Sequence, residues 1–107
     1  FLRKKLYILT KLSEIVESVR SKNAGPFWLT IDIFCGNSIA FEDVCKRLQT
    51  HKISIVFRLS VDQIQRFEIS NLSVLKFSLP RPYTQGSLND RDMHGATWAA
   101  LINDIEL

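Results

Sequence analysis

Two clusters of polar residues in this chain could do chemistry. The first is Arg20-Ser21-Lys22-Asn23-Ala24-Gly25-Pro26, with two cations, a hydroxyl and an amide just before a tight turn. Backbone N–H groups exposed around Gly25 can cradle an anion, and Arg20 or Lys22 can pair with a carboxylate or phosphate. The second cluster lies in the polar stretch 83–95, which together with Arg81 carries Ser87, Asp90, Asp92 and His94. A histidine flanked by carboxylates can act as general acid or base, with Asp92 setting its protonation. The candidate catalytic groups are therefore Lys22, Asp92 and His94. The candidate substrate-binding groups, for an anionic ligand, are Arg20, Ser21, Asn23, Gly25, Arg81, Ser87 and Asp90. The bland alternative stands beside each cluster: a helix C-terminus with its cations and stop glycine for the first, and a solvated loop of turn formers for the second.

Other chemistries find little support. No GxxxxGK[ST], GxGxxG or GxSxG pattern occurs, and neither Cys35 nor Cys45 has a histidine neighbour in sequence. With Cys35, Cys45, His51 and His94 as the whole supply of soft ligands, and no CxxC or HxxxH spacing, no metal or cofactor is expected. Two cysteines are too few for a secreted disulfide scaffold; two buried free thiols are the leading reading, with a single bridge between them as the alternative. The formal charge is +3, but residues 1–25 hold six Lys and Arg against two acids, so the basicity comes from one end. Arg3-Lys4-Lys5 is a short terminal cluster, residues 1–5 read as a basic extension, and no nucleic-acid partner is expected. The longest apolar run, Trp98 to Ile102, is far below the ~20 residues of a membrane span. With no signal peptide in view, the expected compartment is the cytoplasm. The chain opens on Phe1 rather than Met, which leaves room for a segment upstream.

These residues need elements to position them. At 107 residues with 46% apolar and 23% charged composition, and without linker or repeat, the chain reads as one domain, 1–107. Residues 6–20 fit two periods. Leu12, Ile15, Val16 and Val19 recur at helical spacing, while Leu12, Glu14, Val16 and Ser18 alternate, and the helical reading leads. Residues 27–35 read as a central strand, with Phe27, Leu29, Ile31 and Ile33 on one face and Trp28, Thr30, Asp32 and Phe34 on the other. Asn37 or Ser38 should cap a helix over 39–50, with Glu42 and Asp43 in its first turn and Phe41, Val44, Cys45 and Leu48 on its apolar face. Residues 53–59 suit a strand or a short helix. Strands near 62–69 and 73–79, joined at Ser70-Asn71, make a hairpin. Residues 96–105 suit a closing helix, or a loop ending in a short strand at 105–107. The aromatics Phe27, Trp28, Phe34, Phe57, Phe67 and Phe77 read as packing. Helices mixed with a mainly antiparallel sheet define an α+β fold. If the strands at 27–35 and 73–79 are antiparallel neighbours, the start of one lies beside the end of the other, and both polar clusters emerge together.

The segments Arg20-Ser21-Lys22-Asn23-Ala24-Gly25-Pro26-Phe27 and Leu29-Thr30-Ile31-Asp32-Ile33, followed by Pro80-Arg81-Pro82, Gly86-Ser87, Asp90, Asp92 and His94-Gly95-Ala96, resemble a small uncharacterised family. That family resembles the C-terminal ferredoxin-like domain of acyclic terpene utilisation (AtuA-type) proteins. The resemblance covers residues 12–107 and implies a ferredoxin-like sheet packed with two or three short helices, which would make part of 6–20 a strand. The AtuA-type turn reads Arg-Ser-Gly-Asp-Lys-Gly; this chain lacks its acid, so chemistry depending on that acid does not transfer. Thr97-Trp98 also departs from the Gln and His common after the Gly-Ala pair. The resemblance implies a small partner subunit or domain of an AtuA-type enzyme acting on a carboxylate or acyl-CoA-like metabolite. The competing reading is a stand-alone oligomeric module, structural or regulatory. A four-stranded sheet under short helices leaves one face bare, so an AtuA-type large subunit or a second copy is expected to cover it.

Overall fold

The alternation of Leu29, Ile31 and Ile33 with other residues fixes where the sheet must be buried. The computed structural model describes residues 11–81 and 98–107. Among them are strands β1 (Ser18–Asn23), β2 (Trp28–Phe34), β3 (Gln65–Ile69) and β4 (Val74–Pro80). The helices are α1 (Ser38–Arg47), α2 (Thr50–Phe57) and α3 (Trp98–Asn103). The strands form one sheet in the order β1-β2-β4-β3, with every neighbouring pair antiparallel. This is an α+β arrangement compatible with a ferredoxin-like fold.

Register assigns the two faces. Val19 lies opposite Ile33, which lies opposite Leu75, and Ser21, Ile31 and Phe77 form the next such row. Leu29 pairs with Leu79. These central apolar side chains are buried in one cluster with Phe41, Val44 and Leu48 of the α1 segment, Ile53 and Phe57 of α2, and Ile102 of α3. The helices therefore cover this face, the core face. The other face holds Arg20, Lys22, Trp28, Thr30, Asp32, Phe34, Phe67 and Lys76.

The helical reading of 6–20 gives way over its described part. Residues 12–14 make one 3-10 turn and Ser18 onward is strand. Leu12, Val16 and Val19 are all buried as their spacing promised. However, the outer edge of β2 needed a ladder partner, and Ser18–Asn23 supplies it. Gly25 accordingly sits in the β1–β2 turn at φ +83°, not at a helix end. A Cβ there would touch nothing, so the glycine serves conformation and not space.

Asn37 caps α1, its Oδ1 accepting from the Ala40 N–H at 2.8 Å. Because the helix starts at Ser38, Glu42 and Asp43 fall in the second turn, not the first, and Asp43 pairs with Arg47 at 3.2 Å. Residues 53–57 are helical, in α2, which stops at Arg58 in the left-handed region (φ 55°). Strand β3 begins later than the alternation suggests. A capping box between Ser60 and Gln63 turns residues 61–63 into a 3-10 turn first. The β3–β4 hairpin forms, its connection widened to a 3-10 turn (Ser70–Leu72) plus Ser73 at φ 53°. Both C-terminal alternatives contribute: α3 forms, and Glu106 then bridges Lys11.

Arg66, on the core-face side of edge strand β3, ties the sheet to α1. Its guanidinium donates to the Leu48 carbonyl at 2.7 Å and the Cys45 carbonyl at 2.9 Å. It also pairs with Glu68 at 2.9 Å and lies over the Phe77 ring, 5.6 Å from its centre. The last carbonyls of a helix lack intrahelical donors, and here a cation supplies them.

Candidate functional site

The start of β2 lies beside the end of β4, with Trp28 opposite Pro80. The first polar cluster leads into β2 and the second leaves β4, so their described parts meet at this end of the sheet. Arg81 is only 8% exposed, and its Nη1 donates to Asn23 Oδ1. The Arg81 backbone N–H donates to the Phe27 carbonyl at 2.9 Å, and the Ala24 N–H to that of Trp28 at 3.0 Å. Ser21, buried on the core face, accepts from the Ala99 N–H through Oγ at 2.9 Å and so holds the start of α3. Residues 81 and 99, on either side of the segment 82–97, are thus both anchored at β1 and the β1–β2 turn.

Strand alternation divides the first cluster. Ser21 and Asn23 face the helices, whereas Arg20 and Lys22 project from the other face. Both cations are exposed. The Arg20 guanidinium lies 5.8 Å from the centre of the Phe34 ring. The Lys22 carbonyl accepts from Thr30 Oγ1 at 3.4 Å. Ser21, Asn23 and Arg81 therefore share one side of the site, and Arg20 and Lys22 flank the same edge strand from the opposite side. Ser87, Asp90, Asp92 and His94 lie outside the described residues.

The cysteines are both free, as expected, with Cys35 buried and Cys45 half-buried. Burial, and then the neighbouring Cys45, push the Cys35 thiol up to about 11. Burial also raises Cys45, with the Glu68 carboxylate adding to it and Arg66 opposing. Thiols held protonated in this way are poor nucleophiles. Among the described residues, no group of three or more His, Cys, Asp or Glu could hold a metal ion. No helix among them is long and apolar enough to cross a membrane.

The reading of every aromatic as packing needs correction. Phe57 and Phe77 are buried, but Phe27, Trp28 and Phe67 are exposed. Trp28 and Phe67 stand on the face that the described helices do not pack against, where Thr30 and Val74 are nonetheless buried. Their place in alternating strands was the available signal; which face the helices would choose was not. The Asn23–Arg81 contact was likewise visible only as the expected meeting of two loops.

The family model for a domain of unknown function, DUF4387, matches residues 12–106. No curated protein and no solved structure matches the chain. These comparisons bear on the family and do not touch the AtuA-type resemblance. With a match running from the first 3-10 turn to the C-terminal bridge, the chain belongs to the DUF4387 family, a domain of unknown function.

Proposed function

We propose that this chain is a small subunit or domain that completes the site of an AtuA-type enzyme acting on a carboxylate or acyl-CoA-like metabolite. The observation that carries this reading is Arg81. Removing a guanidinium from water is costly, and a nearly buried one at the meeting point of two polar motifs suits reception of an anionic group. In this reading Arg81 and Asn23, with Ser87, Asp90 and the turn at Gly25, hold the anionic group, while Ser21 fixes the start of α3 beside it; Arg20 leaves β1 on the other side and takes no part in holding it. Asp92 and His94 serve the proton transfer, and Lys22 joins them from the other side of edge strand β1. The exposed Trp28 and Phe67 accord with a chain that works against a partner. Two free cysteines accord with a reducing, cytoplasmic setting.

The test is co-expression with the AtuA-type large protein of the same genome, followed by co-elution and turnover of a panel of acyl-CoA thioesters and free carboxylates. With the fold intact by circular dichroism, Lys22→Ala and His94→Ala should each lower turnover about a hundredfold or more, as expected of a lost acid–base group, and Arg81→Ala at least about tenfold, as expected of a lost charged hydrogen bond to the ligand. Turnover within twofold of wild type for Lys22→Ala and His94→Ala would reduce both motifs to turns. Failure to co-elute would leave the stand-alone oligomeric module.

A further inference from the structure

We infer that the face of the sheet opposite the described helices is a docking surface for a protein partner that presents acidic residues to the charged middle of this face and apolar residues to its margins. The inference rests on the subunit reading above and identifies the surface by which the large partner is held.

The pairing register lays this face out in rows. One row crosses all four strands as Arg20, Asp32, Lys76 and Phe67. The next is Lys22, Thr30, Ser78 and Gln65, and the row on the other side is Ser18, Phe34, Val74 and Ile69. Trp28 and Pro80 close one end. Three cations thus stand against one carboxylate. Trp28 is 43% and Phe67 45% exposed, so one large ring ends the charged row on edge strand β3 and another stands two rows away at the start of β2. The described helices do not use this face. Ser21 meets α3 and Arg66 meets α1 from the opposite side, and the buried cluster draws its sheet residues from that side too. Exposed aromatics interleaved with arginine are the composition of interface centres rather than of ordinary solvated sheet.

Charge decides the occupant. A second copy would bring the same excess of cations against this one, and like charges across an interface oppose association. A single-stranded nucleic acid would suit the cations but not their arrangement. Asp32 sits between Arg20 and Lys76, in the middle of the row a phosphate backbone would cross. The central strand β4 gives this face no aromatic ring, only Val74, Lys76, Ser78 and Pro80. Base stacking on an open sheet uses rings set side by side. A protein surface meets both demands. Its carboxylates pair with Arg20 and Lys76, a basic side chain can meet Asp32, and its apolar residues cover Trp28 and Phe67.

The experiment uses the full chain and the AtuA-type large protein of the same genome. Arg20→Glu with Lys76→Glu should weaken binding at least about tenfold, and wild-type binding should weaken as salt rises. Lys46→Glu, on exposed surface of α1, should stay within twofold. Carbene footprinting of the wild-type complex should protect Trp28 and Phe67, and this readout decides the matter even if the double variant misfolds. A complex that forms with these rings still labelled and the double variant within twofold overturns the inference and leaves the subunit reading standing. Absence of any complex overturns both. Binding of a fluorescent twelve-nucleotide oligouridylate that the double variant abolishes, or a wild-type dimer in light scattering that the double variant dissolves, overturns the inference in favour of nucleic acid or of a second copy.

Discussion

Replacing Arg66 should loosen the tie between edge strand β3 and the end of α1. Its side chain is only 18% exposed and serves two carbonyls at the end of the α1 segment, at 2.7 and 2.9 Å. Hydrogen bonds to a charged donor contribute about 1.5–3 kcal/mol each, and orphaned acceptors keep their desolvation cost. Water regains part of this at the rim, so Arg66→Ala should destabilise by about 3 kcal/mol. Arg66→Met keeps the stem over Phe77 and should lose about 2 kcal/mol. Glu68→Gln should lose less than about 1 kcal/mol, because its half-exposed carboxylate is screened by water. Arg66→Lys should restore less than half of the loss, since an ammonium lacks the planar fork that spans both carbonyls. Urea unfolding followed by circular dichroism measures these differences. A melting scan should show Arg66→Ala lower by about 12 °C or more, at roughly 4–8 °C per kcal/mol for a domain near this size. Arg66→Ala within about 0.5 kcal/mol of wild type, less than the net worth of one neutral hydrogen bond, would refute the reasoning.

Three further outcomes are expected. The Cys35 thiol ionises near its ordinary 9.0 when unfolded and near 11 when folded, so the unfolded state sheds its proton first and stability falls as pH rises through that window. The loss should reach about 2–3 kcal/mol by pH 11; urea titrations should show Cys35→Ala with a flatter slope above pH 9, and equal slopes would contradict the assignment. Arg58→Gly should stabilise by about 0.5–1 kcal/mol, because the α2 cap holds a side-chain-bearing residue at φ 55°, and a loss in chemical denaturation would count against it. Asn37→Ala should cost about 1 kcal/mol by removing the α1 cap, read in the same assay.

The centre of the fold was legible because β2 states its own period. Leu29, Ile31 and Ile33 alternate without exception, and Asn37 stands where a cap belongs. Strand β1 was not legible because residues 12–19 satisfy two periods at once. An edge strand with one outer neighbour missing needs few apolar residues, and Val19 with Ser21 sufficed. The division of 38–57 into two helices at Leu48 and Gln49 carries no glycine or proline to announce it. Arg66 looked like any outward charge on an alternating strand. Its role exists only because the end of α1 arrives beside β3, a contact spanning 18 positions in sequence. At the candidate site, the antiparallel argument anticipated that the two loops would emerge together; that Asn23 rather than Lys22 reaches Arg81, across 58 positions, was not legible. The opposite directions of Ser21 and Lys22 follow from the same alternation, but only once that segment is known to be strand.

The order β1-β2-β4-β3 also sets where the chain can change length. Each hairpin closes locally, through residues 24–27 or 70–73, and its register is carried by that turn. One residue added to either turn would send every side chain of an outer strand to the wrong face. The junction of the hairpins is different. Strands β2 and β4 pair over all seven residues, though both longer helices and β3 lie between them along the chain. Lengthening that excursion where α2 gives way to residue 60 leaves both registers untouched, and doubling a loop costs only about 0.6 kcal/mol in closure entropy. Insertions in relatives should therefore gather between the hairpins rather than within them.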